Sequence, residues 1–414
     1  MKLIDRPIYL QKLKAREMNG AIKVITGVRR CGKSILLFDL FYSYLLTKKI
    51  DPKHIIKISL DDPRFIKLRD AEKLTEFIYS KITDNAIYYL FIDEVQLCNN
   101  FESALNGLNK NHNLDIYVTG SNSKFLSSDV ITEFRGRGDE IRVFPLSFKE
   151  YFCYENKNFT DTWNEYYVYG GMPFLITKQT FEEKNNYLKS LFEFTYVKDI
   201  LERNRLKSNE VLETLIDILA SSIGALINPK KIADTFNSKG VKTSSNVINE
   251  YINCLVDSFL ISRAQKYDVK GRKYISTPFK YYFVDAGLRN ARLGFRQLEE
   301  NHLMENIIYN ELLMRGFAVD IGMVTDREVV DSRFTHKQLE VDFICNKGFK
   351  KYYIQSALVI ADKEKMMQES KPLLEIKDAF RKIIIVKDAP MSYINETGIE
   401  IIKLEDFLLN PDLL

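Results

Sequence analysis

The chain has 414 residues, 45% hydrophobic and 28% charged, which excludes a disordered or collagen-like polymer and leaves apolar sequence for several cores. Lys+Arg 60 against Asp+Glu 56 gives a formal charge of +4, so no global charge dictates a nucleic-acid or membrane partner and any basic surface has to be local. Five scattered cysteines without a CxxC pair argue against a disulfide framework and a zinc ribbon, and no apolar run approaches the ~20 residues of a membrane span. The sequence reads as a soluble, cytoplasmic protein of a reducing compartment, with no membrane partner.

Up to about residue 150, short apolar runs alternate with helical patterns. Ile22–Thr26, His54–Leu60, Ile87–Ile92 and Asp115–Thr119 are apolar on both faces and predict buried strands of a parallel sheet covered by helices. From about 200 to 290, helical stretches near Glu210–Leu226, Pro229–Ser238 and Ser245–Phe259 precede two strand-like pieces, Ile261–Tyr267 and Lys273–Ile275. Helix–helix–helix–hairpin is the order of a winged helix. Beyond 300, a helix at Leu303–Arg315 and strands near Phe317–Gly322, Leu339–Cys345, Lys351–Leu358 and Lys382–Val386 predict a second, small α/β domain. The expected division is 1–200, 201–290 and 291–414.

Gly27-Val28-Arg29-Arg30-Cys31-Gly32-Lys33-Ser34 satisfies G-x-x-x-x-G-K-[ST], between an apolar strand and a helix, Ser34 to Thr47, whose apolar run begins at Ile35. Such a loop turns sharply and offers backbone N–H groups to phosphate oxygens, so it needs small residues at Gly27 and Gly32. The following helix points its N-terminal dipole at the same anion. Lys33 is expected to reach the phosphates and the Ser34 hydroxyl to ligate Mg²⁺. Ile87-Tyr-Tyr-Leu-Phe-Ile-Asp93-Glu94 is an apolar strand ending in two carboxylates. Asp93 is expected to hold Mg²⁺, and Glu94 to polarise the attacking water. The strand at Asp115–Thr119 ends in Gly-Ser121-Asn122; inserted between the two earlier strands, Ser121 or Asn122 could touch both γ-phosphate and water.

These segments resemble the AAA-type branch of P-loop ATPases, in the additional-strand, catalytic-glutamate class. More closely, the chain resembles a prokaryotic family of AAA ATPases with an uncharacterised C-terminal region. The likeness rests on Ile25-Thr-Gly-Val-Arg-Arg-Cys-Gly-Lys-Ser34, Phe91-Ile-Asp-Glu-Val-Gln96, Val118-Thr-Gly-Ser-Asn-Ser123, Phe144-Pro-Leu-Ser-Phe-Lys-Glu-Tyr151, Tyr169-Gly-Gly-Met-Pro173 and Tyr281-Tyr-Phe-Val-Asp-Ala-Gly287. It implies ATP as the nucleotide, with Mg²⁺. Arg135 and Arg137 stand where related ATPases place an arginine that completes a neighbour's site, which fits a homo-oligomer. Gly171-Met-Pro173 resembles the Gly-x-Pro turn whose proline packs on adenine.

In the winged helix, Lys242, Lys270, Arg272 and Lys273, interleaved with Tyr267 and Tyr274, form a local basic patch suited to weak double-stranded DNA binding. A winged helix also serves as a contact module for a protein client. The last domain resembles the restriction-endonuclease-like fold, whose metal site takes a helix Glu, a strand Asp and a Glu-x-Lys. Glu305 and Asp342 match, but Gln355 and Ala357 stand where Glu and Lys belong, so a nuclease-like fold without nuclease activity is expected. The resulting expectation is a Mg²⁺-dependent ATPase coupled to DNA or a protein partner. The alternatives are a slow nucleotide-gated switch and, disfavoured by Gln355 and Ala357, a nuclease.

Overall fold

The computed structural model describes residues 3–120, 136–198, 200–201, 209–330 and 333–414. These fall into two compact units, one of Met1–Pro145 with Asp257–Phe259, the other of Leu146–Val256 with Leu260–Leu414. The expected boundaries at 200 and 290 do not coincide with this division.

In the first unit, β1 (Ile22–Thr26), β2 (Ile55–Ser59), β3 (Tyr88–Asp93), β4 (Leu114–Thr119) and β5 (Gly138–Arg142) form one sheet in the order β2-β3-β4-β1-β5. All its pairings are parallel. This is an α/β P-loop NTPase fold with the additional strand, β4, lying between β3 and β1. The four apolar runs of the sequence are β1 to β4, and both faces of β1, β3 and β4 are buried. Helices Ala71–Lys81 and Phe101–Leu108 cover one face, packing Leu74, Ile78, Leu105 and Leu108 against Leu90, Ile92 and Ile116. Each such fully buried aliphatic side chain contributes about 1.5–3 kcal/mol.

The second unit carries a nine-stranded sheet whose strands, in spatial order, are Tyr393–Ile394, Glu400–Lys403, Arg381–Val386, Lys350–Ala357, Arg333–Lys347, Ala318–Val330, Ile261–Asp268, Lys273–Phe283 and Leu226–Ile227 (β6). The three expected helices form at Asn209–Ser221, Pro229–Ser238 and Ser245–Asp257, followed by the hairpin of β7 (Ile261–Asp268) and β8 (Lys273–Phe283). That hairpin does not stand apart as a free wing. Lys266–Asp268 of β7 pairs in parallel with Ile321–Met323 of β9 (Ala318–Val330). The edge N–H and C=O groups of β7 are thereby satisfied by the C-terminal strands, and one sheet runs across the boundary expected at 290.

After helix Glu300–Met314, β9, β10 (Arg333–Lys347) and β11 (Lys350–Ala357) run antiparallel, and β12 (Arg381–Val386) returns parallel to β11 after helix Lys363–Leu374. A register shift between Val341 and Ile344 kinks β10, and Asp342 sits in that kink. Such irregularities re-aim side chains next to functional sites. Among the described residues no helix is long and apolar enough to cross a membrane.

Candidate functional site

The parallel sheet brings the C-terminal ends of β1, β3 and β4 to one edge, where an open α/β sheet binds ligands. The loop after β1 takes the shape its sequence requires. Gly27 has φ 138°, and a Cβ there would lie 2.1 Å from the Val143 carbonyl oxygen. Arg30 and Gly32 also have positive φ, 62° and 98°. Val28 is buried, Arg29 half-buried and Arg30 exposed; the helix opens at Lys33 after Gly32, and Ile35 in its first turn is 43% exposed. The Cys31 thiol is buried and donates to the Val143 carbonyl at 3.4 Å.

Lys33 is buried, and its ammonium donates to the carbonyls of Gly27 and Val28 at 2.9 and 3.0 Å. Arg6, which the sequence reading missed, holds the loop from below. Its guanidinium donates to the carbonyls of Cys31 at 3.1 Å, Phe144 at 2.8 Å and Pro145 at 3.3 Å.

Asp93 ends β3 and is 5% exposed. Its Oδ2 accepts from the Ser34 hydroxyl at 2.7 Å, and its Oδ1 accepts from the Thr119 hydroxyl. Burial pushes the Asp93 carboxyl up; the two hydroxyls pull it back, while Glu94 and Asp61 push it further. Its strongest neighbours are therefore hydroxyls and carboxylates, none of them cationic. Glu94 follows in a left-handed conformation with φ 50°. Its backbone N–H donates to Thr119 Oγ1 at 3.1 Å, and its carboxylate accepts from the Gln96 amide. The set of a carboxylate, a serine hydroxyl and adjacent oxygen donors fits a hard divalent cation such as Mg²⁺. Thr119, joining Asp93 to Glu94, was legible only as a polar residue closing an apolar strand.

Ser121, Asn122 and Arg135 lie outside the described residues. Arg137, expected to complete a neighbour's site, is described and is exposed. It precedes β5 where Ile22 pairs with Gly138, and its carbonyl accepts from Ile22 N–H at 2.8 Å. Five strand residues at ~3.3 Å each separate that end of the sheet from the loop.

In the second unit, two of the quoted motifs meet. Asp285 accepts from the N–H of Gly171 at 2.7 Å and of Leu288 at 2.9 Å. A Cβ on Gly287 would lie 1.9 Å from the Tyr169 carbonyl oxygen, so Tyr169-Gly-Gly and Asp285-Ala-Gly287 form a close-packed joint. Burial pushes the Asp285 carboxyl up to about 6 against those amide hydrogen bonds. Pro173 begins the short turn Pro173–Thr177 beyond this joint.

Glu305, Asp342 and Gln355 converge from helix Glu300–Met314, β10 and β11. A residue the sequence reading did not place joins them: Lys280 of β8. Its ammonium lies 3.0 Å from Glu305 Oε1 and 2.6 Å from Glu340 Oε1. Burial opposes its charge, but Glu305, Glu340 and Asp342 outweigh that and raise its pKa. Burial, and Glu305 beside it, push the Asp342 carboxyl up to about 7, against the pull of Lys280.

Of the expected DNA-binding residues, Lys242, Arg272 and Lys273 are exposed. Lys270 is instead engaged by Glu375 at 2.9 Å and the Thr325 carbonyl at 2.7 Å, which removes much of its charge from the patch.

Residues 19–152 match the AAA domain family, and 160–299 match a domain of unknown function (DUF8612). An uncharacterised protein of Haemophilus influenzae is 34% identical over 417 residues, covering 98% of this chain and 99% of that one. The chain belongs to one family with it. An uncharacterised protein of the archaeon Methanocaldococcus jannaschii is 28% identical over 98% of this chain and 88% of its own. Among solved structures, the Aeropyrum pernix ORC1 protein, solved in complex with DNA, is similar over 71% of this chain and 93% of its own, with 11% identity and a TM-score of 0.30. The match to the AAA domain family spans the loop after β1, Asp93, Glu94 and Thr119.

Proposed function

We propose that the N-terminal unit binds ATP with Mg²⁺ and hydrolyses it to ADP and phosphate, and that the rest of the chain couples this to DNA or to a protein partner. The observation that carries the reading is Asp93, buried at the mouth of the loop between the hydroxyls of Ser34 and Thr119 with no cation among its strongest neighbours. Ser34 and Asp93 are the residues that would hold Mg²⁺, which when bound supplies positive charge at the transferred phosphoryl group.

The loop amides from Gly27 to Ser34 bind and orient the phosphates. Lys33 leaves the Gly27 and Val28 carbonyls to pair with them. Glu94, clamped by Gln96, orients the attacking water and takes its proton as the water oxygen bonds to the γ-phosphorus and ADP leaves. Arg137, exposed at the far end of the sheet, is assigned to a neighbouring subunit's site in a homo-oligomer. Pro173 at the adenine rests on the resemblance alone.

One observation favours the slower, switch-like use of the same site. The Lys33 ammonium is buried on two loop carbonyls, so nucleotide must displace both contacts before the loop is competent. Steady-state phosphate release with and without duplex DNA separates motor from switch. Glu94→Gln is expected to retain ATP and lose about 10²–10⁴-fold in turnover. Undiminished turnover in that variant would remove Glu94 from the mechanism.

A further inference from the structure

The acid pair of the C-terminal sheet already contains a cation. Lys280, 3% exposed, comes from β8 of the hairpin and places its ammonium between Glu305 and Glu340. Tyr282, two residues on along the same strand, donates its hydroxyl to the same Glu305 Oε1 at 2.6 Å. Asp342 Oδ2 accepts from both the amide and the hydroxyl of Ser356, at 2.8 and 2.9 Å.

Gln355 does not face the acid pair as a free ligand. Its side-chain oxygen accepts from the Asp342 backbone N–H at 3.1 Å. Gly224 closes the remaining side, since a Cβ on it would lie 3.0 Å from Glu305 Oε2. A resident divalent ion would need several oxygen lone pairs facing one point, near-octahedrally for Mg²⁺. Here one oxygen of each carboxylate is already engaged, Glu305 Oε1 and Glu340 Oε1 by Lys280 and Asp342 Oδ2 by Ser356, and a buried ammonium stands among them. The residues therefore do not fit the metal that a nuclease-like fold implies.

We propose that Lys280 takes the place of that divalent cation: its ammonium pairs with Glu305 and Glu340 beside Asp342 and ties the hairpin β7–β8 to helix Glu300–Met314 and β10. The cluster accepts a divalent ion only when this ammonium is removed. Ala357 on β11 supplies no ammonium, so the positive charge of the site reaches it from a different strand, outside the C-terminal segment. The ATPase reading is not needed for any of this.

The test is calorimetric titration of MnCl₂ into the nucleotide-free full-length protein, comparing wild type, Asp342→Asn, Lys280→Met and the double variant. All four share the N-terminal site, so its contribution cancels. Wild type and Asp342→Asn are expected to titrate identically. Lys280→Met is expected to gain one site at least about tenfold tighter than any in wild type, lost again in the double variant. A saturable wild-type site that Asp342→Asn removes would overturn the proposal, as would a folded Lys280→Met that binds no more Mn²⁺ than wild type. Should Lys280→Met prove too unstable to titrate, thermal melting carries the comparison. Mn²⁺ must then raise the midpoint of Lys280→Met by more than that of wild type; equal shifts, or none in the variant, contradict the assignment. The comparison of wild type with Asp342→Asn stands whatever the fate of the lysine variant.

Discussion

Asp93 is a buried and Asp342 a half-buried strand residue, and desolvation pushes both carboxyls up. They differ in what compensates them. Asp93 faces two hydroxyls and two further carboxylates, so its charge is left for a cation brought from outside. Asp342 accepts from the Ser356 amide and hydroxyl and lies in the cluster where the Lys280 ammonium pairs with Glu305 and Glu340, so a cation of the chain itself stands beside it. Asp285 shows a third solution, backbone N–H donors and no charge at all. Whether a lysine reaches a strand-borne aspartate is decided by topology.

The largest expected effect breaks or upholds this contrast directly. Lys280→Met should destabilise the second unit by about 3–5 kcal/mol, the cost of leaving buried carboxylates unpaired. Asp93→Asn should stabilise the first unit by on the order of 1 kcal/mol in the absence of Mg²⁺, because it removes a buried charge that no cation pairs while an amide can still meet the Ser34 and Thr119 hydroxyls. Trp163, the only tryptophan, lies buried in the second unit, so its fluorescence follows the first loss. Calorimetry follows the second. Changes of the same sign in the two variants would dissolve the distinction.

Next in size is a pH effect at Asp285. Its carboxyl is raised from 3.8 to about 6, so the folded state binds this proton more tightly than the unfolded state. The stability it brings is complete below the unfolded value and is lost as the pH rises through about 6. Chemical denaturation across that window should show a falling component in wild type that Asp285→Asn lacks. Parallel curves would mean the amide donors compensate the charge fully.

The smallest effect concerns the hairpin. Charge reversal at Arg272 and Lys273 should weaken duplex DNA binding and flatten its salt dependence by about one phosphate contact each. Lys270→Glu should change it less, since Glu375 already holds that ammonium. Fluorescence anisotropy over a salt series reads all three, and equal losses would mean Lys270 releases its partner on binding.

The nucleotide site was legible because its chemistry is local. A strand, a glycine-bounded loop and Lys33-Ser34 are contiguous, and Asp93-Glu94 closes an apolar run. Thr119 was only half legible, as it acts through Asp93 rather than through a motif. The edge strand β5 was missed because Gly138-Asp-Glu-Ile-Arg142 buries only Ile141 fully. Lys280 was missed because Ser276-Thr277-Pro278 interrupts the apolar alternation, so the strand seemed to stop at Ile275 while it runs on to Phe283. The ion cluster is built from segments at 224, 280, 305 and 340–356, and no spacing rule joins them. The same long-range pairing of β7 with β9 hid the continuity of the sheet across residue 290.

The central claim is that Asp93 awaits a cation delivered with the nucleotide. Calorimetric titration of a non-hydrolysable ATP analogue, with and without Mg²⁺, into wild type and Asp93→Asn tests it most directly. Mg²⁺ is expected to tighten binding to wild type by at least about tenfold and to leave Asp93→Asn nearly unchanged. Binding to wild type that is indifferent to Mg²⁺, or that Asp93→Asn retains with its full metal dependence, would contradict it.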